Sequence, residues 1–323
     1  MTHDHDHHDH AHEDHGHAHG HGLGHAHAHI PTNFGRAFAL TTGLNLALVV
    51  VQIVYGLLAD SVALLADAGH NFGDAVGLVL AWIAYSLTRV RASERFTYGF
   101  RSASILSAFA NAILLLVATG AIVWEALRRI GDPPEVAGTT VMVVAAAGVV
   151  VNGLSAWILM AGQKNDLNIR GAFLHLVADA AVSVGVVAGG AIIVFTGWNW
   201  IDPAVSLVIA VVIVWGTWSL LHESFELSMQ AVPKGIALAE VRAYLEGLPG
   251  IAGVHHLHVW AMSTTETALT VHLVFPAGHP GDAFLAQVCG ELSHRFRIHH
   301  PTIQVELAQG ASCAVGSADH EAA

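Results

Sequence analysis

Cysteine is nearly absent from this chain. Cys289 and Cys313 are the only two in 323 residues, and neither lies in an apolar run. That argues against a disulfide framework and against a thiolate metal site within the apolar segments. Charge is scarce as well. Asp, Glu, Lys and Arg together make up 12% of the chain against 54% hydrophobic residues, which is not the composition of an ordinary soluble domain. The formal balance of −12 counts 25 histidines as neutral and gives no reason to expect nucleic acid as a partner. No cleavable signal peptide is apparent, because the polar stretch ahead of the first apolar run is too long and is not basic.

Histidine and long apolar runs take the place of what is missing. Residues 1–30 mix His with Asp, Ala and Gly, and 13 of the 25 histidines precede Ile30. Such a segment cannot bury a core and is expected to be disordered. Its irregular mixture fits a weak, multivalent collector of zinc or similar ions better than an expression tag.

Six apolar runs follow: Phe38–Leu58, Val62–Leu87, Ser104–Ala126, Thr139–Ala161, Ala172–Phe195 and Pro203–Leu221. Each is close to the ~20 residues that cross a bilayer as a helix, so residues 31–221 are expected to form an all-α six-helix transmembrane bundle. Short links make neighbours antiparallel, and an even number of spans puts both termini on one side. Arg89, Arg91, Arg95 and Arg101 fall between the second and third runs, and Lys164 and Arg170 between the fourth and fifth. The positive-inside rule makes these links, and both termini, cytoplasmic. Arg128 and Arg129 dissent, beside Asp132 and Glu135. Trp124, Trp157, Trp198 and Trp200 mark run ends, where aromatic belts belong.

From His222 the character changes. Ile236–Leu248 reads as an amphipathic helix, Gly253–Ala261 and Thr267–Phe275 as strands, Gly281–Phe296 as a second helix and Thr302–Leu307 as a third strand. The order αββαβ over residues 222–310 indicates a small α+β domain with helices on one face of a sheet. Residues 311–323 read as a loose tail.

Two stretches inside the apolar runs share one pattern: His70-Asn71-Phe72-Gly73-Asp74 and His175-Leu176-Val177-Ala178-Asp179. A spacing of four puts both side chains on one helix face. Two such helices facing each other would bring two imidazoles and two carboxylates to one point, the ligand set of a tetrahedral divalent ion, zinc first of all. A lone helical histidine is ordinarily a hydrogen-bonded core residue, but four ionisable groups in hydrocarbon need a shared reason. Asp67 lies one turn before His70 and is a candidate hydrogen-bond partner for its ring. Asn45 reads as a hydrogen bonder between helices rather than a ligand. Two neutral histidines and two carboxylates carry −2, which a divalent cation cancels. In low dielectric the empty site takes protons instead, so one site alternates between metal and protons, as a metal/proton antiporter requires.

The stretches Leu64–Asp74, Asp166–Asp179, Val254–Trp260 and His299–Glu306 resemble the cation diffusion facilitators, and within them the bacterial zinc/cadmium efflux branch. The resemblance covers about residues 35–310, with the motifs in order and at matching spacing. It implies six transmembrane helices, a ferredoxin-like cytoplasmic domain and a homodimer in a bacterial inner membrane. It also implies export of zinc, with cadmium, cobalt or other divalent ions as further substrates, driven by proton entry. It maps the transport ligands onto His70, Asp74, His175 and Asp179, with histidine rather than aspartate at the first position favouring zinc over cadmium. The C-terminal domain holds His255, His256, His258 and His272 on adjacent strands, and alternation alone cannot choose between His255 and His256. The family pattern selects His255, His272, His299 and Glu306 as ligands of a further zinc ion. Some relatives hold another metal between the second and third helices. Here Arg95–Arg101 offers no histidine or carboxylate, and none is expected.

Two rival functions compete. An intramembrane zinc hydrolase would keep three protein ligands and an open position for water, whereas two His/Asp pairs close the shell. A zinc-sensing membrane scaffold leaves the paired intramembrane carboxylates unexplained.

Overall fold

The computed structural model of the protein describes residues 36–160 and 167–307. The His-rich segment expected to collect metal and the expected C-terminal tail lie outside the described residues. Six long helices come first: α1 (Arg36–Leu58), α2 (Val62–Thr88), α3 (Ala103–Ile130), α4 (Gly138–Met160), α5 (Leu167–Thr196) and α6 (Ile201–Ser228). They coincide with the six apolar runs apart from their ends. Five of them, α1 and α3 to α6, are long and apolar enough to cross a membrane. Helix α2 falls outside that set. Its 27 residues give it a spanning length of ~40 Å, but Asp67, His70, Asn71 and Asp74 dilute its apolar character.

The outward faces of the helices carry Val50, Val117, Val150, Val208, Val211 and Trp215, all exposed. A soluble domain would bury such residues; hydrocarbon solvates them. Inside, Leu64, Val141, Val144, Val186, Ile193, Ile209 and Ile213 form one buried cluster.

Three contacts fix α2. Its N-terminus follows Ser61, whose Oγ accepts from the Leu64 N–H at 3.1 Å. Asp202, near the start of α6, accepts from the Val62 N–H at 2.7 Å, from the Ala63 N–H at 3.4 Å and from the Ser61 hydroxyl, so the donors left over at the helix start are satisfied from a second helix. Along its length, Gly69, Gly73 and Gly77 face α3. A Cβ on Gly73 would fall 2.1 Å from Leu115 Cδ2, and one on Gly77 2.7 Å from Asn111 Nδ2. This small-residue stripe lets the two helices approach closely. His70 and Asp74, one position further along, are rotated by about 100° from that stripe and are free to meet another helix.

The C-terminal domain contains α7 (Leu238–Glu246), β1 (Gly253–Ala261), β2 (Thr267–Val274), α8 (Asp282–Phe296) and β3 (His300–Glu306). The sheet order is β1-β2-β3, with β1 and β2 antiparallel and β2 and β3 parallel. A parallel neighbour needs a crossover, which α8 supplies. Val241, Leu245, Val288, Leu292 and Phe296 of the helices bury against Leu257, Val259, Leu269, Val271 and Leu273 of the strands. The expected αββαβ order is thus present as an α+β domain on a three-stranded sheet.

The link between α2 and α3 touches this domain. Arg101 pairs with Glu266 and meets His300 Nε2 at 2.8 Å. The Ser102 hydroxyl donates to the Met262 carbonyl at 3.2 Å, and the Thr264 N–H donates to Ser104 Oγ at 3.1 Å. The turn between β1 and β2 is therefore tied to the start of α3.

Candidate metal centres

The four membrane residues converge. Helix α2 presents His70 and Asp74, and α5 presents His175 and Asp179. His70 Nε2 lies 3.7 Å from Asp74 Oδ2 and 3.4 Å from Asp179 Oδ1. His175 Nε2 lies 3.2 Å from Asp74 Oδ2 and 3.4 Å from Asp179 Oδ2. Each imidazole thus faces both carboxylates, and the rings stand 6.0 Å apart at 71°. His70, Asp74 and Asp179 offer ligand atoms within 4.8 Å of one another. His175 stands at the rim, the most exposed of the four at 38%, while Asp179 is the deepest at 4%. His175 lies outside that group of three, so a shell of two nitrogens and two oxygens around a divalent ion would need its ring to move inward.

Asp67 is wholly buried, but its hydrogen bonds go elsewhere than expected. Gln52 Nε2 of α1 donates to its Oδ2 at 2.5 Å, and the Ser183 hydroxyl of α5 donates to the same oxygen at 3.1 Å. Asn45 donates its amide to the Thr41 carbonyl at 3.0 Å, within α1. Gln52 and Ser183 were not singled out from the sequence. A second amide beside Asn45 in the first apolar run, and a serine one turn after Asp179, were the available signals.

In the C-terminal domain Glu306 is the hub. His255 Nε2 lies 3.0 Å from its Oε2, His272 Nδ1 2.8 Å from its Oε1, and Gln304 Nε2 donates to Oε1 at 3.1 Å. Burial pushes the Glu306 carboxyl up, but the His272 and His255 contacts outweigh it and hold the group below its ordinary range. His255, His272 and Glu306 form a second group able to hold a metal.

The choice between His255 and His256 dissolves in the structure. Register slips between His255 and His258, and His256 sits at φ 50°. This bulge brings the His256 ring to 5.3 Å from that of His255 and 5.0 Å from that of His272. Burial and the neighbouring imidazoles of His272, His255 and His258 hold His256 below the ordinary histidine range, which favours the neutral form that binds metal. His258 is exposed, its ring 6.3 Å from that of His256. His299 stands apart. It precedes β3, is exposed, and donates its N–H to the Thr267 carbonyl. Glu306 closes the same strand about 23 Å away, seven residues on at ~3.3 Å each.

Comparison with known proteins agrees with this layout. The cation efflux transmembrane domain model matches residues 39–227, and the model of the cation efflux protein cytoplasmic domain (ZT_dimer) matches residues 233–308. The metal cation efflux system protein CzcD of Cupriavidus metallidurans is 36% identical over 274 residues, 84% of this chain and 87% of that one. The cadmium, cobalt and zinc/H(+)-K(+) antiporter of Bacillus subtilis is 34% identical over 275 residues, with the same coverage. The zinc transporter ZitB of Escherichia coli is 37% identical over 281 residues, 86% of this chain and 88% of that one. Among solved structures, the metal-bound C-terminal domain of the C. metallidurans CzcD transporter is 38% identical, covers 22% of this chain and all of its own, and has a TM-score of 0.21.

Proposed function

Because this chain belongs to the cation efflux family, we propose that it is a secondary active transporter. It exports Zn2+, and with lower preference Cd2+ and Co2+, from the cytoplasm in exchange for protons. The observation that carries this reading is the meeting of His70, Asp74, His175 and Asp179 between two long helices of the apolar bundle. A divalent ion neutralises the two carboxylates, and when it leaves, protons take its place. A shell of four ligands leaves no open position for water, which fits carriage of the ion better than hydrolysis. The names of the relatives, zinc transporter and cadmium, cobalt and zinc antiporter, point the same way.

Helix α2 is the sixth span in this reading, so both termini lie in the cytoplasm of a bacterium and the transporter sits in its inner membrane. The C-terminal domain is ferredoxin-like and joins two copies into a homodimer. His255, His272 and Glu306 hold a further zinc ion there, with His256 in reach. His299 lies too far away to complete that shell within one chain, so its role as a ligand requires a second copy. Everted membrane vesicles test the transport claim. Zinc is expected to accumulate on energisation and to leave when a protonophore is added; accumulation indifferent to the protonophore would remove proton coupling.

A further inference from the structure

The polar network around Asp67 leaves three buried atoms unmatched, Gln52 Oε1 among them, and the other two are complementary. Asp67 Oδ2 takes both available donors, from Gln52 on α1 and Ser183 on α5. Asp67 Oδ1 is buried with no hydrogen-bond partner among the described residues, and so is His70 Nδ1. One is an acceptor, the other can carry a hydrogen. They belong to residues three apart on one helix, hence on one face and about 4.5 Å apart along the axis. The other ring atom, His70 Nε2, already faces Asp74 and Asp179. A buried polar atom without a partner is rare and needs a reason. Two of opposite character within one turn share the same one.

We propose that Asp67 is a positioning residue for the transport site: on metal binding it accepts the Nδ1–H of His70, which fixes the ring and leaves the Nε2 lone pair for the ion. Metal-bound histidines commonly give their second N–H to a carboxylate in this way. The bonds from Gln52 and Ser183 hold the carboxyl group in place, so three helices, α1, α2 and α5, meet at the residue that orients a ligand. Among the described residues, Gln52 is the group of α1 that bonds to Asp67. On α6, Asp202 is occupied with Ser61 and the start of α2. The proposal rests on the assignment of His70 as a ligand.

A double-mutant cycle on the purified full chain tests it, with zinc affinity read by competition against a fluorescent chelator. Asp67→Asn keeps an oxygen for Gln52 and Ser183 but turns an amide N–H toward His70, the wrong polarity. It is expected to weaken zinc binding by about 10- to 100-fold in the wild-type background. In the His70→Asp background, which has no Nδ1, the same change is expected to have an effect below about twofold. Equal losses in both backgrounds would overturn the proposal. Zinc affinity untouched by His70→Asp itself would overturn the assignment of the ligands instead. A measurement on unaltered protein stands beside the cycle. Nitrogen NMR of the zinc-loaded chain, with the His70 signal identified from its loss in His70→Asp, should show Nδ1 protonated and Nε2 bare. The opposite tautomer would overturn the proposal whether or not Asp67→Asn folds.

Discussion

At the scale of single residues, ligand type sets ion choice. His70→Asp changes the site from two imidazoles and two carboxylates to one and three. The formal ligand charge goes from −2 to −3, and the shell gains oxygen at the expense of borderline nitrogen, to which zinc is well suited. The expected outcome is a cadmium-to-zinc flux ratio raised several-fold, measured in vesicles with each ion in turn; an unchanged ratio would mean that His70 does not touch the ion. Glu306 makes a second residue-level case. Its carboxyl is held below the ordinary value of 4.5 by His272 and His255 once their contacts outweigh burial. A lowered native value means that this carboxylate adds stability above pH 4.5 and loses it as pH falls through the native value. The C-terminal transition in a thermal melt of the metal-free chain should therefore drop in temperature below about pH 4.5, and Glu306→Gln should flatten that acid limb. The meeting of His70, Asp74, His175 and Asp179 was readable in the sequence because His-x-x-x-Asp is a helical spacing in an apolar run, whereas Glu306 came only from the family pattern. Gln52 and Ser183 were not, because their importance comes from meeting Asp67 across helices, and no spacing encodes that.

At the scale of elements, apolar length announced the helices, but tertiary partners decide how α2 starts and where it points. Asp202→Ala removes the acceptor for two backbone N–H groups and the Ser61 hydroxyl. Loss of such a cap costs about 0.5–2 kcal/mol, so the detergent-purified protein should melt several degrees lower; an unchanged melting temperature would deny the cap a structural role. Ser61 is a recognisable N-cap residue, whereas Asp202 lies 141 positions further on. The strands show a different limit. A period of two predicts that His255 and His256 face opposite ways, and the bulge breaks that period, bringing both rings beside His272. Similarly, β3 starts at His300 rather than Thr302, with Pro301 inside it. Proline is tolerated there because β3 is an edge strand with one side unpaired.

At the scale of the whole molecule, the described residues form a helical bundle with an apolar exterior, a cluster of His and Asp between α2 and α5, and an α+β domain fastened by Arg101 and Glu266 to the link between α2 and α3. Composition made the membrane region recognisable, since 54% hydrophobic residues in long runs leave few alternatives, and the αββαβ domain was recognisable from the patterning of its segments. The fastening was not recognisable, because an arginine in a link between helices reads first as a topology signal. The central claim concerns exchange at the site on α2 and α5, and proteoliposomes holding the purified protein test it most directly. Zinc inside and outside is set equal, a pH gradient is imposed, and zinc movement is followed with an indicator in the wild type and in Asp179→Ala. The expected result is zinc accumulation on the side from which protons leave, reduced at least roughly a hundredfold in Asp179→Ala, in line with the ~3–5 kcal/mol for breaking a buried charged set. Zinc movement that ignores the pH gradient, or that persists at near-normal rate without the Asp179 carboxylate, would contradict it.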